Sequence, residues 1–569
     1  SQSTPYNYPN AQPAATIWYH DHGLGLTRLN VLMGLAGFYL IRDDAEDALD
    51  LPAGAYELPL AIQDRSFELD GSFRSWPEWN DHYFGEQILV NGKVWPYHEV
   101  ARGKYRLRLL NGSNSRVYTL SLSDGATFWQ IATEQGLVGA PRPLTSITLL
   151  PGERSDIVVD FAGYAPGTRI ELRNSAPAPY PGFGTVGVVP QVMQFRVGTA
   201  LGHTAPLPSV LVPYEPIDPA EAVEDRMLEL LIAPNVNCPT SRNGMWMIDG
   251  LEWDIITEYP VQGTTELWTW KNDSGVSHPM HIHLVDLQLV GRQSIDTTTG
   301  LPTGPMIPPD AYEVGWKDTV DARPGYFTTV AARFDGPPGK FPYHCHILEH
   351  EDHEMMRQFE LLADCDANGI ADVKQLKQPG ADCNANGLLD ACEIAAGAAD
   401  CNGNGVLDSC DLAAGGADCN SNGLLDQCDL ASGSSSDVDG NGAPDECQAD
   451  CNANGLPDSY EIAQGLANDC NLDGQPDACE IAAGGALDCN ANGAIDSCEI
   501  ASGAADCNAN GVLDSCEIAG GAADCNANGV PDSCEIASGA ADCDANGVPD
   551  SCEIASGAAD CDADGVPDS

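Results

Sequence analysis

The chain is poor in basic residues, with 26 lysines and arginines against 84 aspartates and glutamates in 569 residues, a net charge of -58. The imbalance is greatest after residue 363, where 40 acidic residues face only Lys374 and Lys377. Nucleic-acid binding needs basic surface that neutralises phosphates, and anionic membranes likewise attract basic segments. The composition therefore excludes nucleic acid and electrostatic docking on membranes as partners.

Long apolar runs are also missing, and cysteine is scarce in the first part of the chain. No run approaches the roughly 18 apolar residues of a membrane-spanning helix, so no transmembrane segment is predicted. Only Cys238 and Cys345 precede residue 364, whereas 20 of the 22 cysteines follow it. Dense cysteine among small residues is typical of disulfides formed in an oxidising compartment. We therefore expect a protein that is secreted, periplasmic or on the cell surface.

Short apolar or alternating runs separated by Gly, Pro, Asn and Asp turns fill the first 363 residues; examples are YELPLAIQD, KYRLRLLN and TELWTWKN. This pattern predicts an all-β fold built from antiparallel sandwiches or barrels. The turn clusters predict boundaries at residues 1–45, 55–198, 199–221 (a Pro-rich linker) and 222–363, followed by a repeat array over 364–569.

Histidine is rare but clustered, since eight of the twelve fall in the motifs WYHDH, HPMHIH and HCHILEH. Residues i and i+2 of a strand share a face, so each H-x-H pair aims two imidazoles in one direction. In HCH the thiol of Cys345 must then point away from the imidazoles of His344 and His346. One strand can thus serve two metal sites that are joined through only a few covalent bonds.

The donor chemistry indicates the metal. A thiolate, two imidazoles and a methionine thioether form the ligand set of a blue copper electron-transfer site. Zinc, or histidines that merely pack in strands, is a poor explanation for three H-x-H pairs and a C-x4-H-x4-M run. Met356 is disfavoured as the thioether ligand on spacing. The predicted ligands of this site are His278, Cys345, His350 and Met355.

Four segments resemble the multicopper oxidases, especially those of the bacterial spore-coat laccase and bilirubin oxidase type. They are WYHDHGLGLTRLNVLMGLAGFYLI, GEQILVNGKVWPY, HPMHIHLVDLQLVGR and FPYHCHILEHEDHEMMR. The resemblance covers residues 14–362 and implies consecutive cupredoxin-like Greek-key β-barrels, the first one partial. It also implies a type 1 copper that accepts electrons from a small-molecule donor, and a trinuclear copper cluster that reduces O2 to water.

The same resemblance implies roles for the remaining motif residues. It implies His281 as a ligand of the type 2 copper, and Glu351 as an acid that aids proton delivery, with a merely solvated Glu351 as the alternative. The type 3 ligands that it implies are His20, His22, His283, His344 and His346.

One motif of the family is missing. Multicopper oxidases carry a further H-x-H upstream, which supplies one type 2 and one type 3 ligand, yet no histidine precedes His20. We therefore expect an N-terminal part to lie outside this chain, and O2 reduction by the chain alone to be poor. Nine scattered methionines do not match the methionine-rich inserts of the cuprous oxidases, which leaves phenols, bilirubin-like pigments and dye-type donors.

After residue 363 a unit D-C-N-x-N-G-x-x-D-x-C-E-I-A-x-G returns in twelve copies, mostly every 18 or 19 residues. Oxygen side chains at positions 1, 3, 5, 9 and 12, with glycine at 6, match the EF-hand loop template. The array resembles dockerin-type or thrombospondin type 3 repeats, and it predicts Ca2+ binding coupled to folding; a solvated acidic linker is the alternative. The predicted ligands in three copies are Asp382, Asn384, Asn386, Asp390 and Glu393; Asp506, Asn508, Asn510, Asp514 and Glu517; and Asp524, Asn526, Asn528, Asp532 and Glu535.

Cysteines occupy positions 2 and 11 of most copies. Val438 and Tyr460 replace them at position 2 of one copy and position 11 of the next. Pairing within copies then strands Cys447 and Cys451, which are close enough in sequence to pair with each other, whereas pairing between neighbours strands two distant cysteines. We therefore predict disulfides within copies.

Three classes of function fit these features. The first is a secreted laccase-like oxidase whose tail is a spacer, an anchor or an arm that docks on a protein or cell surface. The second is a calcium-dependent surface or adhesion protein whose cupredoxin part is inactive or binds only type 1 copper. A two-domain nitrite reductase fits least well, because such enzymes lack the full set of H-x-H clusters.

Overall fold

The computed structural model describes residues 8–74, 80–182, 187–233, 244–561 and 563–567. The chain divides into two compact units, residues 1–378 and 379–569. Cys238 lies outside the described residues. No helix in the described ranges is long and apolar enough to cross a membrane.

The first unit opens with a two-stranded antiparallel sheet of β1 (Ala15–His20) and β2 (Ala36–Ile41). Helix α1 (Thr27–Leu32) lies between the strands, and α2 (Asp44–Asp47) follows them. Thr16 is buried and its hydroxyl donates a hydrogen bond of 2.8 Å to Asp156 in the next part of the chain. This contact holds the strand that ends at His20 against the following sandwich.

The next twelve strands form a seven-stranded and a five-stranded sheet. Their alternating apolar residues meet in one buried core, which includes Leu107, Leu120, Ile157 and Phe195. The seven-stranded sheet contains, in spatial order, β10 (Gly136–Leu144), β9 (Phe128–Thr133), β12 (Arg154–Asp160), β7 (Lys104–Asn111), β3 (Glu57–Arg65), β4 (Gln87–Val90) and β5 (Lys93–Val94). The five-stranded sheet contains β11 (Ile147–Leu149), β8 (Tyr118–Leu122), β13 (Arg169–Asn174), β14 (Gln191–Leu201) and β6 (Tyr97–Arg102).

The last ten strands form a second sandwich, whose core is built around Trp268, Met280, Tyr343 and Phe359. Its six-stranded sheet has the order β16 (Met245–Ile248), β15 (Glu224–Ala233), β17 (Thr265–Asn272), β22 (Tyr326–Arg333), β19 (Asp286–Ile295) and β20 (Pro302–Ile307). Its four-stranded sheet has the order β21 (Thr319–Ala322), β18 (His278–Ile282), β23 (Gly339–Cys345) and β24 (Met356–Leu361), with helix α3 (Leu348–Glu351) between the last two strands.

Outside these sheets, the helices of the described residues are short. The 3-10 turns of the first unit are Gly54–Tyr56, Pro219–Glu221 and Ala311–Glu313, and α4 (Asp372–Gln375) lies near its end. In the second unit the loops that begin between Asp382 and Asp542 each lead into a short helix or 3-10 turn that begins at position 9 of the repeat. These are α5 (Asp390–Ala395), α6 (Asp408–Ala413), α7 (Asp426–Ser432), the 3-10 turn Asp445–Cys447, α8 (Asp458–Ala463), α9 (Asp477–Ala482), α10 (Asp496–Ala501), α11 (Asp514–Ala519), α12 (Asp532–Ala537) and α13 (Asp550–Ser556).

The disulfides of the second unit join neighbouring copies, so the prediction of pairing within copies is wrong. Each described bridge links position 2 of one copy to position 11 of the next, 27 or 28 residues later. Their Cα atoms lie 5.6–6.0 Å apart, the normal span of a disulfide. The bridges are Cys383–Cys410, Cys401–Cys428, Cys419–Cys447, Cys451–Cys479, Cys470–Cys498, Cys489–Cys516, Cys507–Cys534 and Cys525–Cys552.

Val438 and Tyr460 occupy the two positions that one such bridge would join. The copies that begin at Asp437 and Asp450 are only 13 residues apart, instead of 18 or 19. The shortened interval leaves a three-residue 3-10 turn, Asp445–Cys447, in place of the usual helix. Both cysteines of that bridge are thus replaced together, where the local spacing departs from the rest of the array.

Candidate metal centres

Cys345, at the end of β23, faces two histidines in the core of the second sandwich. Its Sγ lies 3.5 Å from Nδ1 of His278 and 3.7 Å from Nδ1 of His350, and the two nitrogens are 3.3 Å apart. All three side chains are fully buried, as is that of Met355. Burial lowers the pKa of His278 to about 3, which keeps its imidazole in the neutral form that binds metal. The four predicted ligands thus lie within one buried site.

The polypeptide around this site holds its ligands in place. The backbone N–H of Met355 donates to the carbonyl oxygen of His350, and the Met355 carbonyl accepts from the Cys345 N–H, both at 3.0 Å. The hydroxyl of Ser274 lies 3.0 Å from Nε2 of His278, so the other nitrogen of that ring is the one directed at the thiol. Met355, at the end of the loop between α3 and β24, is therefore tied through its backbone to two other predicted ligands.

Two aromatic residues that the sequence interpretation missed lie against His350. Trp246 stacks on its ring with centroids 4.3 Å apart and an interplanar angle of 19°. His82 meets the same ring edge-on at 4.8 Å. Neither stands in a motif with metal-ligand spacing, so only the tertiary structure brings them to the site.

A second cluster of histidines forms on the other side of β23. Nε2 of His344 lies 3.2 Å from Nε2 of His22 and 3.2 Å from Nε2 of His283. These three residues come from segments that are far apart in sequence, and their nitrogen atoms all lie within 4.8 Å of one another. The arrangement confirms that His344 and Cys345 face different centres.

The remaining motif histidines border the same cluster. The ring centroid of His346 lies 5.3 Å from that of His20 and 5.7 Å from that of His281. Nδ1 of His20 donates to the carbonyl oxygen of Asp21, and Nδ1 of His281 donates to that of Asp318, both at 2.8 Å. These bonds leave Nε2 of both rings available as a ligand atom. Metal-binding histidines are usually oriented in this way, by a hydrogen bond from the ring nitrogen that does not bind the metal.

Glu351 lies behind the second cluster and has no exposure to solvent, which excludes the solvated alternative. Its carboxylate oxygens lie 3.2 Å from Nδ1 of His344 and 3.6 Å from Nδ1 of His22. Burial raises the pKa of Glu351, but the charge and hydrogen bond of His344 outweigh it, so the pKa is lowered overall. Glu351 is therefore held as a carboxylate between two predicted ligands.

The side chains of both centres fit copper. The first supplies a thiolate, two imidazoles and a buried thioether, the donor set of a blue copper site, and the second supplies six imidazoles, which copper accepts readily. The cupredoxin-like sandwich with these two linked centres defines a copper redox protein.

Comparison with known proteins agrees with this class. The multicopper oxidase family matches residues 233–363. A laccase from Bacillus stratosphericus is 41% identical over 384 residues, which cover 63% of this chain and 73% of that protein. The laccase of Bacillus subtilis (strain 168) is 40% identical over 382 residues, which cover 63% and 72%. This chain belongs to the multicopper oxidase family.

Solved structures show the same fold. The crystal structure of the McoA multicopper oxidase from Aquifex aeolicus superposes with a TM-score of 0.54 at 32% identity, over 62% of this chain and 76% of that one. Mostly β, cupredoxin-like domains thus account for about 62% of the chain, and a disulfide-rich repeat region follows them. The predicted family and the mostly β architecture of the oxidase region are confirmed.

In the repeats, four of the five predicted loop positions converge. The carboxylate of Asp382 at position 1 accepts from the backbone N–H of Asn386 and Gly387 at 3.1 and 2.9 Å. The side-chain amides of Asn384 and Asn386 donate to Glu393 at position 12, at 3.1 and 2.8 Å. The same amide-to-glutamate contacts recur in the other two copies between Asn508, Asn510 and Glu517, and between Asn526, Asn528 and Glu535.

The aspartate at position 9 makes different contacts. Asp390 is buried at the start of α5 and accepts a hydrogen bond of 3.1 Å from the backbone N–H of Cys383 at position 2. Asp514 and Asp532 accept the equivalent bonds at 2.8 and 2.9 Å. This carboxylate fastens the start of the loop to the start of the helix.

Proposed function

We propose that the chain is a laccase-like multicopper oxidase that removes single electrons from phenolic or pigment-type donors and passes them to O2, which is reduced to water. Copper, when bound, supplies the one-electron chemistry at the first centre and the reduction of O2 at the second. The observation that carries the proposal is that Cys345 belongs to the first centre while His344 and His346 border the second. Electrons have only the backbone of three consecutive residues to cross.

The proposal assigns each centre its ligands. His278, Cys345, His350 and Met355 would hold the type 1 copper in a site closed to water, since all four are buried. His281 would hold the type 2 copper. The type 3 pair would be held by His20, His22, His283, His344 and His346. The resemblance to the family implies this assignment.

Glu351 would act on protons rather than on electrons. Its buried carboxylate lies beside Nδ1 of His344 and of His22, and Nδ1 of His344 also lies 3.1 Å from the carbonyl oxygen of Cys345. We propose that Glu351 accepts and releases the protons that O2 reduction consumes. Among the described contacts, it is the only acidic residue whose oxygens lie this close to both rings.

The test uses the copper-loaded full chain. The proposal expects the intense visible absorption of a thiolate–copper bond, together with O2 uptake when a phenolic donor is added. Cys345→Ser is the matched control, since it removes the thiolate with little change in volume. Absorption without O2 uptake would instead support a surface protein that holds only type 1 copper, and no absorption in the copper-loaded wild type would overturn the oxidase.

We further propose that the repeats bind Ca2+ and fold around it in an oxidising, extracytoplasmic compartment, where they serve as a docking arm for a protein or cell surface. The convergent side chains at positions 1, 3, 5 and 12, in a segment that carries 40 acids and two lysines, support this proposal. Circular dichroism of the full chain in chelator and in millimolar Ca2+ tests it, with Glu393→Gln expected to weaken binding. Glu224→Gln, at an exposed position of the first unit outside the repeats, is the control; spectra that do not respond to Ca2+ would contradict the proposal.

A further inference from the structure

Arg154, the first residue of β12, is buried where the two sandwiches and β1 meet. Its Nη1 and Nη2 donate to the two carboxylate oxygens of Asp318 at 2.8 and 2.7 Å. Its Nε donates to the carbonyl oxygen of Thr16 at 3.0 Å, and Nη1 also reaches the carbonyl oxygen of Gly152 at 3.2 Å. One guanidinium thus joins three segments that are distant in sequence.

The segment that contains Asp318 leads to His281. The carbonyl oxygen of Asp318 accepts the hydrogen bond of 2.8 Å from His281 Nδ1, and the hydroxyl of Thr319 lies 3.2 Å from the same nitrogen. The Asp318 carboxylate also accepts from the Thr319 hydroxyl at 2.8 Å. The Arg154 fork therefore fixes both groups that orient the His281 ring.

The segments that contain Thr16 and Gly152 lead to His20 and His346, respectively. Thr16 lies in β1, which ends at His20, four residues later. Gly152 lies directly against His346, because a Cβ at position 152 would come within 2.4 Å of the His346 ring carbon Cδ2. The position of the Gly152 backbone therefore limits where that imidazole can lie.

We infer that Arg154 is a positioning residue of the histidine cluster: it sets the placement of His20, His281 and His346 relative to one another. Arg154 itself belongs to the first sandwich, which carries none of the predicted copper ligands. The inference rests on the proposed function, since it assumes that these rings hold copper. A planar guanidinium can hold Asp318 with two parallel bonds and a carbonyl with a third. A lysine ammonium keeps the charge but cannot reproduce this geometry, so the role requires arginine.

The experiment compares Arg154→Lys with wild type and with Arg226→Lys. Arg226 makes an equivalent two-bond pair with Glu266, at 2.6 and 2.7 Å, away from β12, and is the control for loss of a guanidinium. In copper-loaded full chain, Arg154→Lys is expected to weaken the retention of cluster copper about 10–100-fold, the usual effect of losing a partner of a metal ligand. The visible type 1 absorption should be unchanged, and the type 2 signal in electron paramagnetic resonance should fall.

A second readout does not depend on copper. In copper-free chain, Arg154→Lys should speed hydrogen exchange in the segments around Thr16 and Thr319 and leave β24 unchanged. The inference would be overturned if Arg154→Lys showed the exchange rates of the wild type in these segments and kept the full type 2 signal. Equal loss of copper from both centres would also overturn it, because it would indicate a general folding defect. If wild-type protein itself retains no cluster copper, the proposed function fails, and the exchange data alone then decide whether Arg154 positions these segments.

Discussion

His344 and Cys345 are neighbours in the chain but point into different centres. Nε2 of His344 lies 3.2 Å from Nε2 of His22, whereas Sγ of Cys345 lies 3.5 Å from Nδ1 of His278. The opposite directions of adjacent side chains in an extended strand produce this arrangement. A single segment therefore joins the two candidate copper centres.

Replacement of the thiol should separate the two centres. Cys345→Ser is expected to abolish the visible absorption and to reduce donor oxidation to background, because the thiolate ligand and the first step of electron transfer are lost. Cluster copper should be retained, since His344 and His346 are unchanged. Metal analysis and electron paramagnetic resonance of the variant check this expectation; loss of copper from both centres would contradict the separation.

Glu351→Gln should slow O2 reduction without affecting the first centre. The amide keeps the shape of the side chain but removes the negative charge beside His344 and His22. We expect O2 uptake to fall about 100-fold or more, the range for loss of a general acid or base. Anaerobic reduction of the type 1 copper by a phenolic donor should proceed at the wild-type rate, and an unchanged rate of O2 uptake would exclude a role for Glu351 in proton delivery.

Glu349 should make stability depend on pH. It is buried and accepts hydrogen bonds from Asn114 and Ser115, and burial raises its pKa from 4.5 to about 7. Between these values the unfolded chain has released a proton that the folded chain retains, so stability falls as pH rises through this window. Glu349→Gln removes the titration and should gain up to about 3 kcal/mol relative to wild type between pH 4.5 and 7. Denaturant unfolding across this range measures the difference, and parallel pH profiles would refute it.

Gly152→Ala should disturb the histidine cluster. Position 152 has a φ of +84°, and the new methyl carbon would lie 2.4 Å from Cδ2 of His346. Gly167→Ala is a matched control, with a φ of +85° and no atom within 4 Å of the new carbon. Both variants should lose about 1–3 kcal/mol from backbone strain, but only Gly152→Ala should also lose cluster copper. Equal copper contents in the two variants would show that His346 tolerates the clash.

The pairing between copies predicts which cysteines are coupled. Cys401→Ser and Cys428→Ser should each cost about 2–4 kcal/mol of local stability, as the loss of one disulfide usually does. The double variant should cost no more than either single one. Hydrogen exchange of the repeat region measures these costs, and coupling of Cys401 to Cys410 instead would restore pairing within copies.

The sequence pattern was sufficient to predict the alternation of the strands and the two faces of β23, because both depend on local periodicity. It did not predict Arg154, since a polar residue in an alternating strand is read as solvent-facing and its partners Asp318 and Thr16 are more than a hundred residues away. Trp246 was missed because its partner His350 is likewise distant in the sequence.

The disulfide pairing was mispredicted because closeness in sequence was taken as closeness in space. The short helix that follows each loop brings position 11 of one copy beside position 2 of the preceding one. The replacements at Val438 and Tyr460 carried this information, since they fall on the two ends of one missing bridge.

That missing bridge divides the repeat array into two covalently closed ladders. The bridges from Cys383 to Cys447 overlap one another, as do those from Cys451 to Cys552. A protease cut inside either ladder would leave its fragments attached until a reductant is added. Among the described bridges none crosses residues 448–450, so a single cut there would release the second ladder and leave the first joined to the oxidase-family region.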